Sequence, residues 1–101
     1  MKINLVIFIS SIKEPELATP ACMIKTIESD FRPVKGDIID DPGFDPRYHN
    51  GYEVVKVTIN YVTKECFVSL QPLVIELEEI CMNTYVEKLE ENGWRRMSTQ
   101  Q

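Results

Sequence analysis

The stretch Phe31-Arg-Pro-Val-Lys-Gly-Asp-Ile-Ile39 constrains the fold most, together with Tyr52-Glu-Val-Val-Lys-Val-Thr-Ile-Asn-Tyr61 and Glu65-Cys-Phe-Val-Ser-Leu-Gln71 beyond a polar loop. Together they read as three consecutive strands of a small antiparallel sheet. Pro33 fixes φ ahead of the first, Gly36 lets the chain turn sharply, and the β-branched residues that follow suit a pleated, half-buried surface. Alternation in the second places Val55, Val57, Ile59 and Tyr61 inward and Lys56, Thr58 and Asn60 outward. A turn near Val62–Glu65 then brings Cys66, Val68 and Leu70 to the same inner face.

That phase leaves Tyr52, Val54 and Phe67 on the opposite face of the hairpin, where something must cover them. A C-terminal helix is one candidate. A second subunit is the other, because a hairpin face or an unpaired sheet edge can join its own copy about a two-fold axis.

The flanking segments complete the domain. Lys2–Ser10 places Ile3, Leu5, Ile7 and Ile9 on one face and Val6 and Phe8 on the other, the pattern of a strand internal to the sheet. Ser11–Pro20 reads as a connection, and a second strand starts at about Met23. Asp37–Asp40 is a short strand, and Asp41–Gly51, with two prolines, two glycines and an Asn-Gly pair, is loop throughout. Pro72 ends or reroutes the hairpin strand. From Glu76 to Asn92, Leu77, Ile80, Cys81, Tyr85 and Leu89 keep the spacing of one helix face, with Glu76, Glu78 and Glu79 at the end that favours carboxylates. Gly93 fits the left-handed position after a helix, so a Schellman motif that brings Trp94 onto Leu89 is expected. Residues 1–94 form one domain in this reading, and 95–101 a polar tail.

The chain has 101 residues, enough for one modest core, and 11 basic against 16 acidic residues, a net charge of −5. That balance disfavours nucleic-acid binding, which relies on a basic patch to displace counterions. The three cysteines, Cys22, Cys66 and Cys81, form neither a disulfide framework nor a CxxC motif. Lys2 before the apolar run Ile3–Ile9 resembles a secretion signal, but no small-x-small cleavage site follows and Glu14 comes soon after, so a buried first strand and a cytoplasmic location are expected. No run of about 20 apolar residues offers a membrane span.

Chemistry-bearing groups are sparse. Asp37, Asp40, Asp41 and Asp45 lack the alternating register and terminal Glu of a calcium loop and suit turns that bond backbone amides. His49 is the sole histidine, so a two-His metal site cannot form within one chain, and a Cys-His pair would depend on a tertiary contact. The four glycines are scattered, and no phosphate loop is present. Neither a cofactor, a metal site nor catalytic activity is expected. Phe44, Arg47, Tyr48, His49 and Asn50 place stacking surfaces, a guanidinium fork and amide donors on one connection, the composition of a binding loop. The alternative is a strand connection whose aromatics fold back to cap the sheet.

The order of strand, Pro33-x-x-Gly36-Asp37 turn, strand, loop, Tyr52–Val57 strand, hairpin and closing helix resembles short β-rich proteins of bacteria and their phages. The resemblance implies a sheet or partly open barrel and transfers no functional residue. The expected architecture is α+β: a small antiparallel curved sheet or partly open barrel of about five strands with one C-terminal helix. The expected role is a non-enzymatic binding module, with self-association as one form of it, engaging a protein or small ligand through the 41–51 loop and a sheet face. Capture of a nucleotide-like ligand, with Arg47 on phosphate and Tyr48 or Phe44 on the base, and nucleic-acid binding by a small barrel are the alternatives.

Overall fold

The computed structural model describes residues 1–11, 21–44, 51–75 and 82–97. Its strands are β1 (Lys2–Ser11), β2 (Ala21–Glu28), β3 (Ile38–Ile39), β4 (Tyr52–Asn60), β5 (Glu65–Leu70), β6 (Leu73–Ile75) and β7 (Arg95–Arg96), with one helix, α1 (Met82–Glu91), before the last. Six of them lie in the order β3-β4-β5-β1-β2-β7, while β6 pairs with β1 beyond the end of β5. The sheet curls into an open half-barrel around the helix.

The expectation of a purely antiparallel sheet is corrected. β1 pairs antiparallel with β2 but parallel with both β5 and β6. Local hairpin logic gives the β4–β5 pair and cannot reveal that β1 is inserted between β5 and β2, which aligns β1 with β5. β1 is internal, as its two-sided apolar pattern implies. Its inner residues Ile3, Leu5, Ile7 and Ile9 are all buried and form the spine of the core with Met23, Val54, Cys66, Val68 and Leu70. Burial of each large aliphatic there contributes about 1.5–3 kcal/mol.

Two bulges bend the sheet. Val54 faces Leu70 and Lys56 faces Ser69, so Val55 is an extra residue in β4. Along β1, Lys2 pairs with Glu65 and Val6 with Ser69, whereas Ile9 pairs with Leu73; the β5–β6 track has gained one residue around Gln71-Pro72. Pro72, which has no N–H for a ladder, therefore reroutes the strand for a few residues and does not end it. An extra residue bends its strand and raises local twist.

The first bulge overturns part of the hairpin phase. Tyr52 and Val54, expected on the face away from the core, are buried in it, and Val57, on the far side of Val55, packs against the same core. An inserted residue shifts the two-residue period by one, so both sets reach one face. Val55 itself is exposed, as are Ile59 and Tyr61, all three expected inside. Ile59 lies opposite buried Cys66 but on the edge strand, and Tyr61 is in the turn. In that turn the Asn60 side-chain oxygen accepts from the amides of Val62 and Thr63.

α1 closes the open side of the half-barrel with Tyr85, Val86 and Leu89, which join the core. Residues 76–81, including the expected helical glutamates and Cys81, lie outside the described residues. The helix ends as its sequence implies. Gly93 has φ of 96°, its N–H donates to the Glu90 carbonyl, and the Trp94 N–H donates to the Leu89 carbonyl at 3.1 Å. These are the two bonds of a Schellman motif, and Leu89 and Trp94 are buried in the same cluster.

The expected polar tail is corrected at its start. Arg95 and Arg96 pair with Ile24 and Met23, and the Met97 N–H donates to the Cys22 carbonyl at 2.7 Å. The reversal at Gly93 lays the chain along the edge of β2, where unpaired backbone groups accept a strand. Residues 98–101 lie outside the described residues.

Candidate functional site

The Asp-rich loop begins as a structural anchor. Asp37 Oδ2 accepts from the Val34 amide and Asp40 Oδ1 accepts from the Asp41 amide, so both carboxylates serve nearby backbone. Asp41 reaches further. Its Oδ1 meets the Lys25 ammonium at 2.8 Å, and its Oδ2 accepts from the Gly43 amide at 2.9 Å and the Trp94 indole at 2.8 Å. One carboxylate thus ties the loop to β2 and to Trp94, just past the turn that ends α1. Gly43 fits because of its size: a Cβ there would lie 3.0 Å from a Leu89 methyl and 3.2 Å from Asp41 Oδ2.

Phe44, expected to offer a stacking surface to a ligand, is buried in the core. Its ring stands edge-on to Tyr52 at 4.7 Å between centroids and tilted to Trp94 at 5.6 Å. An apolar ring at the end of the tight turn from Asp41, whose carbonyl accepts from the Phe44 amide, gains more from this aromatic cluster than from solvent. Its assignment as a binding residue is corrected to the sheet-capping alternative. Arg47, Tyr48, His49 and Asn50 lie outside the described residues, as does Asp45.

The proposed interface residues also separate. Tyr52 and Val54 are covered within the chain, and the Tyr52 and Tyr85 hydroxyls lie 3.1 Å apart between β4 and α1. They are therefore not a surface for a second subunit. Phe67 alone of the three stays partly exposed, on the outer face beside Thr58.

On that outer face sits a group that sequence reasoning passed over. Asn4 is buried, with its Nδ2 donating to Glu65 Oε2 at 2.8 Å and the Cys66 carbonyl at 3.3 Å, and its Oδ1 accepting from Thr26 Oγ1 at 2.6 Å. The amide pins β2, β1 and β5 together with both ends satisfied. Its sequence signal is the one polar residue in an otherwise apolar run. Beside it, Val6, Cys22 and Ile24 form a small second cluster with Met97. Burial pushes the Cys22 thiol above its ordinary value, and its Sγ lies 3.8 Å from Met97 Sδ.

The feature with most capacity to engage another molecule is the outer edge of β4. β3 pairs only with Tyr52 and Glu53, and the amide and carbonyl of Val54 are taken up by Asp37 and Gly36. Among the described residues no strand pairs with the outer side of Lys56–Asn60. Exposed apolar side chains gather along this edge and the turn after it: Val55 at 42%, Ile59 at 50%, Tyr61 at 84% and Val62 at 74%. Adjacent Val54 and Val55 break the alternation and were the signal of the bulge, whereas no local signal marks where β3 stops pairing.

Among the described residues, no three His, Cys, Asp or Glu side chains are grouped to hold a metal ion, and no helix is long and apolar enough to cross a membrane. No protein-family model, curated protein or solved structure matches the chain.

Proposed function

We propose that this protein is a non-enzymatic binding module that takes up an extended strand of a protein partner along the outer edge of β4. The observation that carries this reading is the stretch Lys56–Asn60, which no strand among the described residues pairs on its outer side, with Val55, Ile59, Tyr61 and Val62 exposed along it and beside it. An edge strand offers a row of backbone donors and acceptors for affinity, and alternate side chains supply selectivity. Val57 and Ile59 present apolar surface on the core side of the edge, which an added strand would cover. The loop contributes through its anchoring: Asp41 and Phe44 hold the aromatic cluster that backs the start of β4.

The reading is tested by selecting displayed, extended ten-residue peptides against the full chain and following amide exchange residue by residue. Strand uptake predicts that selected peptides slow exchange at amides within 56–60 and leave α1 unchanged. Selection that returns only peptides protecting other segments would overturn it.

A further inference from the structure

We infer that the strand taken up at this edge is β4 of a second copy, paired antiparallel about a two-fold axis through Thr58. This rests on the strand-uptake reading and names its partner. The axis stands normal to the sheet, so each inner face continues into the inner face of the other copy. Residues directly opposite must then share a face, and because side chains alternate, the axis must pass through a residue.

The length of the free edge selects which residue. On one side the edge stops at Val54, whose backbone groups are bonded to β3 and the turn before it; on the other it stops at Asn60, where the turn begins. The open stretch is Lys56–Asn60, and its midpoint is Thr58. An axis there engages all five residues of both copies, whereas an axis through Val57 or Ile59 engages three before meeting an obstruction. An axis through Lys56 would set two ammonium groups face to face.

The side chains agree with the Thr58 register. On the inner face Val57 meets Ile59 of the other copy, twice by symmetry, extending the row Ile59–Cys66–Ile3–Ile27 that crosses four strands of each protomer. On the outer face Thr58 meets Thr58, and Lys56 meets Asn60, so no like charges oppose one another. The exposed ring of Tyr61 comes alongside exposed Val55 of the other copy. β-branched and Thr–Thr pairs of this kind are favourable cross-strand neighbours.

The test is sedimentation equilibrium on the full chain, on Thr58→Lys and on Thr58→Glu, with amide exchange on each. Thr58 is exposed, so both variants keep the fold, which circular dichroism checks. The wild type is expected to dimerise with slowed exchange within 56–60. Each variant alone sets like charges across the axis and weakens the dimer by about fivefold. An equimolar mixture of the two restores association to at least the wild-type level, because only this register places position 58 against itself. A wild type monomeric at its highest soluble concentration overturns the second copy as partner, and the peptide selection then judges strand uptake separately. A dimer indifferent to both variants, or not restored by mixing them, overturns the register.

Discussion

The indole N–H of Trp94 donates to Asp41 Oδ2 at 2.8 Å, and Asp41 Oδ1 lies 2.8 Å from the Lys25 ammonium. The Asp41 side chain is 7% exposed and that of Lys25 20%, so the carboxylate is the more costly of the two to leave unpaired. Asp41→Ala removes three partners at once and is expected to cost about 2–4 kcal/mol in urea unfolding. Trp94 is the only tryptophan, so its emission reports the loss directly. Lys25→Met keeps the aliphatic stem and leaves Asp41 its two N–H donors; about 1–2 kcal/mol is expected.

Two glycines with positive φ separate conformational cost from steric cost. At Gly93, φ is 96° and an added Cβ would sit 3.4 Å from the Lys25 side chain, an ordinary contact. Gly93→Ala should therefore cost only the left-handed penalty, about 1–2 kcal/mol. At Gly51, φ is 110° and the Cβ would lie 2.6 Å from an Ile38 methyl and 2.8 Å from the Ile39 carbonyl oxygen. Gly51→Ala should cost roughly 3 kcal/mol or more, since β3 must move away from β4. Thermal unfolding that ranks the two equally would contradict this.

Asn4 is expected to behave as one member of a coupled set. Asn4→Ala removes the side-chain bonds to Glu65, Cys66 and Thr26 and opens a gap between three strands, for an expected loss of about 1–3 kcal/mol. Thr26→Val in the same background should cost less than it does in the wild type, because its acceptor is already gone. A double-mutant cycle on urea midpoints measures that coupling.

Cys22 should react slowly with alkylating reagents near neutral pH, because burial disfavours its thiolate. Site-resolved mass spectrometry checks this by comparing native protein with protein in denaturant. The same shift has a sign in stability. Below the ordinary thiol value of 9.0 both folded and unfolded Cys22 are protonated and it contributes no pH dependence. Above it the unfolded thiol ionises first, so stability falls as pH rises, and Cys22→Ala should flatten that alkaline limb.

Much of the local structure was legible because its causes are local. Alternation in Lys2–Ser10 and Glu65–Gln71, the four-residue turn between β4 and β5, and the Asn92-Gly93 stop each express a short-range steric or hydrogen-bonding preference. The Schellman pairing of Leu89 with Trp94 follows from where a left-handed residue can stand. Tyr52 and Val54 misled for an equally physical reason: a single inserted residue, Val55, exchanges the faces of a strand without changing its composition. The candidate site was hidden for a different reason, since the open edge depends on where β3 stops pairing with β4.

By itself the sequence determined that these residues form short strands around one core, that a helix near the C-terminus closes it, and that Gly93 ends that helix. Tertiary packing alone set β1 between β2 and β5, placed Phe44 in the core, brought Asp41 to Lys25 and, 53 residues along the chain, to Trp94, and left Lys56–Asn60 as an edge among the described residues. The division is physical. Periodicity and turn chemistry act over a few residues, whereas strand order, register and the choice of partner for a buried charge are settled by burying the most apolar surface with every buried polar group satisfied, a condition on the whole chain at once.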